Sequence, residues 1–244
     1  MKQIEYYEIV KKQMEQQVNE EAAAIEEAAQ CCAASVCADR VIHVFGSGHS
    51  QMFAWEVFYR TGGLVPVNAL ILPHTALFPK AKLSTITERM EGFAATYLDL
   101  ENTAATDTMI IVSISGRNGM IVDMALAAKA KGMKVIALLS RAFHDGVSSR
   151  HSSGKKLGDI ADVVIDVKCV SGDASLALEG LPEKVGGTST VLGMLLMEMI
   201  MVRTMEICVE KGHKPDVWVS SNLDIGDKIN AEHIKNYASK IGCL

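Results

Sequence analysis

Several features that commonly mark a function are missing from these 244 residues. No G-x-x-x-x-G-K-[ST] occurs, which excludes an ATP-binding P-loop. The six cysteines, Cys31, Cys32, Cys37, Cys169, Cys208 and Cys243, contain no C-x-x-C pair and no Cys/His cluster at zinc spacing, so free thiols in a reducing cytoplasm are the expected state. No basic stretch followed by an apolar one opens the chain, because MKQIEYYEIVKKQMEQQ is polar and amphipathic. The longest apolar run, Val191 to Val202, is interrupted by Glu198 and is too short to cross a bilayer; it reads as a buried helix. Positive charge is not in excess either. A net charge of −5 argues against broad contact with nucleic acid or an anionic membrane, and the protein is expected to be soluble. No repeat and no linker rich in Pro, Gly or Ser divides the chain.

Nearly half of the residues are apolar, enough for a large core in a chain of this length. Proline and glycine are absent from Ile4 to Ala38, where Ala, Glu and Gln dominate. Helix is predicted there, one long helix or two with a bend near Asn19, its buried stripe formed by Ile4, Tyr7, Val10, Met14, Val18, Ala22 and Ile25. This stripe fits packing on the chain's own core or on a partner subunit. Strands are predicted at Val41 to Phe45, Leu64 to Leu72, Thr108 to Ile114, Lys134 to Leu139 and Asp162 to Val167. Helices are predicted over 50–60, 85–100, up to Lys131, over 189–210 and over 227–241, while 171–187 reads as a loop. Strand, loop and helix in alternation imply a mostly parallel sheet with helices on both faces, a three-layer α/β sandwich. The chain is read as one domain, with a helical extension (1–38), an α/β core (39–210) and a C-terminal segment (211–244).

Gly46-Ser47-Gly48-His49-Ser50 follows the first strand and opens a helix, a place where amides and hydroxyls suit an oxyanion. Gln51 stands where the dinucleotide fingerprint needs its third glycine, and the second strand offers Asn68 instead of an acidic residue, so a nicotinamide cofactor is not expected. Ser113-Ile114-Ser115-Gly116-Arg117-Asn118 repeats the pattern after the third strand. Gly186-Gly187-Thr188-Ser189-Thr190 opens a third helix. Each loop alone reads more readily as a helix cap; together they point to one phosphate site at the carboxyl end of the sheet.

The set GSGHS (46–50), SISGRN (113–118) and GGTST (186–190) resembles the sugar isomerase (SIS) domain family. This phosphosugar-binding group includes phosphoheptose isomerase and N-acetylmuramic acid 6-phosphate etherase. The resemblance implies a five-stranded parallel sheet, a homodimer or homotetramer, a small sugar phosphate as ligand, and neither metal nor other cofactor. It also implies phosphate ligation by Ser47, Ser50, Ser113, Ser115 and Asn118, with Ser189 and Thr190 from the third loop. The activity implied is aldose–ketose isomerisation through an enediol with a glutamate base; an amino-sugar-phosphate lyase or etherase, and a sugar-phosphate sensor without catalysis, are the alternatives.

The base is sought among the glutamates. Glu56 lies on the helix after the first loop among Phe53, Trp55 and Tyr59, but it is also spaced for an i,i+4 ion pair with Arg60. Glu183 is the second candidate, three residues before Gly186. Glu88 and Glu91 belong to ITERMEGFAATYLD, a segment similar to the glutamate-bearing helix of the etherases; their plainer reading is a solvated helix face. Glu198, within an apolar helix, is expected to be paired. Among the histidines, His151 in the serine-rich loop and His49 in the first loop are candidates to meet the ligand, whereas His43 reads as a satisfied core residue.

Overall fold

The computed structural model describes Met1–Leu244. Helices α1 (Lys2–Glu20) and α2 (Ala22–Cys37) form from the stretch without helix breakers. They part at Glu21, whose carboxylate pairs with Lys168 at 2.5 Å and accepts the amide of Asp166 at 3.1 Å. Of the seven-residue stripe, only Val10 and Ile25 are buried, while Ile4, Tyr7 and Val18 are exposed. The inward face of α1 is held by amides instead. Gln13 and Gln17 donate to the carbonyls of Lys168 and Val167 at 2.9 and 2.8 Å, polar anchors that a search for apolar periodicity passes over.

The chain then alternates through β1 (Ile42–Gly46), α3 (Gln51–Val57), β2 (Val67–Leu70), α4 (Ala81–Thr87), α5 (Phe93–Asp99), β3 (Thr108–Val112), α6 (Gly119–Ala130) and β4 (Lys134–Leu139). After the short α7 (Arg141–His144) comes β5 (Val163–Asp166), then a ribbon of β6 (Ala174–Leu176) and β7 (Val185–Gly187). Two helices, α8 (Ser189–Glu210) and α9 (Gly226–Tyr237), close the chain. The main sheet has five strands, all parallel, in the order β2-β1-β3-β4-β5.

Strand residues alternate between two cores, as a sheet covered on both faces requires. Ile42, Val44, Ile110, Val112, Ile136 and Leu138 face α2, α3 and α8. Phe45, Met109, Ile111, Val135 and Ala137 face α5 and α6. No helix is long and apolar enough to cross a membrane.

Three expectations change. The helix predicted over 85–100 is broken by Gly92, at φ 87°, into α4 and α5. The 171–187 stretch contains the antiparallel β6–β7 ribbon, whose strands are too short to carry a periodic signal. The second strand is cut to Val67–Leu70, and Leu64, still buried in the core, forms an isolated antiparallel bridge with Val217.

At the amino end of the sheet, a polar network crosses the core. His43, on β1, lies 3.2 Å from the Asp107 carboxylate and 3.1 Å from the Asn68 amide nitrogen, and Arg40 donates two hydrogen bonds to Asp107. Burial by itself would raise the Asp107 carboxyl, but hydrogen bonds from His43, Arg40 and the Ala104 amide outweigh it and hold the group far below its usual range. Because the folded-state pKa is depressed, this contribution to stability is present above the unfolded carboxylate value of about 3.9 and is lost as pH falls below it. Asp107→Asn should cost about 3 kcal/mol or more in urea unfolding near neutral pH. The same substitution should flatten the loss of stability on acidification; an unchanged acid dependence would show that the network does not supply it.

Candidate functional site

The chain moves from β1 outward to β2 and then returns to place β3 on the other side of β1, so the strand order reverses between β1 and β3. Loops leaving neighbouring parallel strands on opposite sides of such a point open a crevice at the carboxyl edge. The register sets Gly46 beside Val112, which brings the first two Ser/Gly loops together. Gly46 is required by packing, since a Cβ there would sit 2.2 Å from the carbonyl oxygen of Ser50.

A cavity of about 540 Å³ fills this crevice. All seven predicted phosphate ligands line it: Ser47 and Ser50 from the first loop, Ser113, Ser115 and Asn118 from the second, and Ser189 and Thr190 from the third. Their remaining hydrogen bonds separate them. The Ser113 hydroxyl accepts the Gly116 amide at 3.2 Å, so its proton is free to donate. Arg150 donates to the Asn118 carbonyl oxygen at 3.0 Å, which turns the NH₂ group of Asn118 the other way. The third loop is committed elsewhere. Asp173 accepts the amides of Thr188 and Ser189 at 2.9 and 2.8 Å and the Ser189 hydroxyl at 2.7 Å. A carboxylate thus already occupies the start of α8, the position at which a phosphate would be stabilised. Uncommitted donors are left on the wall built from the first two loops.

None of the predicted acid–base residues Glu56, Glu183 and His151 lines the cavity. Glu56 forms the i,i+4 pair with Arg60, which also lies 3.7 Å from Glu198. Glu183 is exposed on the turn between β6 and β7. His151 is locked outside, with Nε2 2.9 Å from Asp123 and Nδ1 2.8 Å from Ser153. His49 does line the cavity.

Two carboxylates line the cavity, Asp173 and Glu88, and Glu88, the residue just after α4, is the one not committed to a helix start. It is placed through its backbone. Its carbonyl accepts the Met120 amide at 3.1 Å, capping the start of α6, and Gly119 lets the carbonyls of Arg89 and Met90 approach to 2.8 Å from where a Cβ would be. The Ser47 hydroxyl donates to its carboxylate at 3.3 Å. Burial pushes the Glu88 carboxyl above its ordinary range, against the opposing pull of Ser47, Arg89 and Arg150. Read as a sequence, Glu88 lies on an apparently solvated helix; its similarity to the etherase segment was the available signal. Asp173 has no local signal, because it acts across sixteen residues on Ser189.

A five-stranded parallel α/β sheet with hydroxyl-lined loops at its switch point defines a sugar isomerase type of domain. The chain belongs to the SIS domain family, which it matches over residues 5–140. A UPF0309 protein of Geobacillus thermodenitrificans is 35% identical over 240 residues, 98% of this chain and 96% of the relative. One from Halalkalibacterium halodurans is 41% identical over 197 residues, 79% of this chain and 81% of that one. Among solved structures, phosphoheptose isomerase GmhA from Neisseria gonorrhoeae superposes with a TM-score of 0.54 at 18% identity, covering 83% of this chain and 96% of that chain. A phosphoheptose isomerase from Francisella tularensis gives 0.54 at 18%, with 83% and 95% covered. At that identity the likeness is one of fold.

The capping role of Asp173 has a measurable consequence. Asp173→Ala leaves two amides at the start of α8 without their acceptor and should lower unfolding stability by about 1–2 kcal/mol. The same change should strengthen binding of inorganic phosphate by removing a competing carboxylate. A calorimetric titration showing weaker or equal phosphate binding would refute that competition.

Proposed function

We propose that the cavity binds a sugar phosphate and that the chain is an aldose–ketose isomerase with Glu88 as the base. The observation that carries this reading is the half-buried carboxylate of Glu88, raised above its usual range, in the same cavity as a cluster of hydroxyls, while the other lining carboxylate, Asp173, is taken up by the start of α8. A carboxylate raised by burial is a stronger base at neutral pH than a solvated one, and the hydroxyls accept an anion without neutralising it. Phosphate is held by Ser50, Ser113, Ser115 and Asn118, with Ser47 orienting Glu88; Ser189 and Thr190 contact the sugar rather than its phosphate. The Glu88 carboxylate takes the proton from the carbon next to the carbonyl. The bonding pair becomes the enediol double bond, and the proton returns to the adjacent carbon. His49 is positioned to move the hydroxyl proton between the two oxygens.

A second reading has its own support in the location of Glu88, on a segment similar to the glutamate-bearing helix of the etherases and not on α3. The same base would then remove a proton from C2 of an amino-sugar phosphate, the electron pair would form the C2–C3 double bond, and the C3 ether oxygen would leave and take up a proton. As a cytoplasmic homodimer or homotetramer, the protein would cover the apolar side chains Val18, Val202 and Val209, which stand exposed on α1 and α8.

Incubation with hexose, heptose and amino-sugar phosphates in deuterated water tests both readings. Deuterium at C1 or C2 of recovered sugar is the isomerase outcome, and an unsaturated product is the elimination outcome. Binding with neither would leave a sensor. Glu88→Gln should reduce exchange by roughly a hundredfold or more, whereas Glu56→Gln and Glu183→Gln should not. The acidic limb of the pH–rate profile should lie above the ordinary carboxylate range and move higher in Ser47→Ala, because the lost hydrogen bond favoured the charged form. A limb that stays in place would remove Glu88 from the role.

A further inference from the structure

Four of the seven arginines have no carboxylate within 4.0 Å, in contrast to Arg40, Arg60 and Arg203, each of which is paired. Three of the four, Arg89, Arg117 and Arg150, are gathered immediately behind the phosphate wall. Arg117 directly precedes Asn118, and its carbonyl accepts the Arg150 amide at 2.8 Å. Arg150 extends its guanidinium to Asn118 at 3.0 Å, and Arg89 follows Glu88. Desolvation, with the nearby charges of Arg117 and Arg89, holds the Arg150 pKa down against the opposing pull of Glu88.

Like charges gathered in this way repel, and no carboxylate pairs directly with any of the three; Glu88 opposes the repulsion only from beyond ion-pair distance. Arg117 has only a long 3.5 Å hydrogen bond to Ser148, and its Nε is buried with no acceptor at all. A buried donor without an acceptor is costly and is rare in a finished structure. The surrounding chain has a net charge of −5, so this is a local cationic patch on an acidic protein. None of the three arginines lines the cavity itself, but each adjoins a residue that does: Arg89 follows Glu88, Arg117 precedes Asn118, and Arg150 donates to Asn118.

We propose that Arg89, Arg117 and Arg150 form a second oxyanion subsite, and that the natural ligand is a sugar phosphate carrying a further anionic group, a carboxylate or a second phosphate. This rests on the sugar-phosphate reading of the cavity. The first phosphate sits on Ser50, Ser113 and Ser115, the sugar spans the space beside Glu88, and the second anion reaches the guanidiniums past Asn118. Planar guanidiniums bind either oxyanion through paired N–H donors.

The test is isothermal titration calorimetry on the full chain with matched ligands: fructose 6-phosphate against fructose 1,6-bisphosphate for a second phosphate, and glucose 6-phosphate against 6-phosphogluconate for a carboxylate. At least one doubly anionic ligand should bind about tenfold or more tightly than its partner, and the advantage should shrink with added salt. In Arg89→Gln and in the Arg89→Gln/Arg150→Gln pair, checked for folding by circular dichroism, that ratio should fall toward one. A monophosphate that binds as well as its doubly anionic partner overturns the second subsite and leaves the cavity reading intact. Equal weakening of both ligands in the variants overturns it too, by making the arginines counter-ions of the first phosphate. A ratio that survives the substitutions removes the arginines from the role, and binding of neither ligand type overturns both readings. Loss of a native oligomer in the variants, seen by sedimentation, with ligand preference unchanged, would reassign the cluster to a subunit contact.

Discussion

The parallel pairing of β1 with β3, Gly46 beside Val112, is the constraint on which the rest of the site depends. The chain leaves β1 toward β2 and comes back to the other side, so two helix starts diverge from adjacent strand ends and leave space between them. That space cannot close, because α3 packs against one core of the sheet and α6 against the other. Hydroxyls on the two loops therefore face a common cavity whatever their individual caps require.

Charge within this cavity is divided. On the α8 side, Asp173 satisfies the helix start and repels a second anion. On the α6 side, amides and hydroxyls remain available, with guanidiniums behind them. Glu88 stands between the two regions, and its backbone rather than its carboxylate is tied to α6. On the proposed function, this division would let one cavity attract a phosphate and still keep a carboxylate able to accept a proton. A hydroxyl-rich wall offers donors that are themselves neutral, so an anion held there would not turn Glu88 into half of an ion pair.

The polar network at the opposite end of the sheet performs a different task. Arg40, Asp107, His43 and Asn68 join the beginnings of β1, β2 and β3 through hydrogen bonds that demand one register. Apolar packing tolerates small slips between strands; a buried carboxylate with three fixed partners does not. The alignment that opens the ligand crevice at one edge is in this way secured at the other.

Much of this was legible in the linear chain. Continuous apolar strands at 108–114 and 134–139 announced a sheet covered on both faces, and α8 spans Ser189–Glu210, the same bounds its apolar run suggested. The three Ser/Gly loops were visible because each is a local pattern that follows a strand or opens a helix. What the sequence could not decide is which charged residues meet them. Glu56 and Glu88 are both glutamates on short helical stretches, and only the docking of α4 onto the start of α6 brings one to the cavity while Arg60 holds the other outside. Asp173, Gln13 and Gln17 likewise act on partners far along the chain. Local spacing determines where strands, helices and loops begin. The ownership of a site belongs to tertiary structure, because burial and charge partners are set by contacts between residues that spacing does not relate.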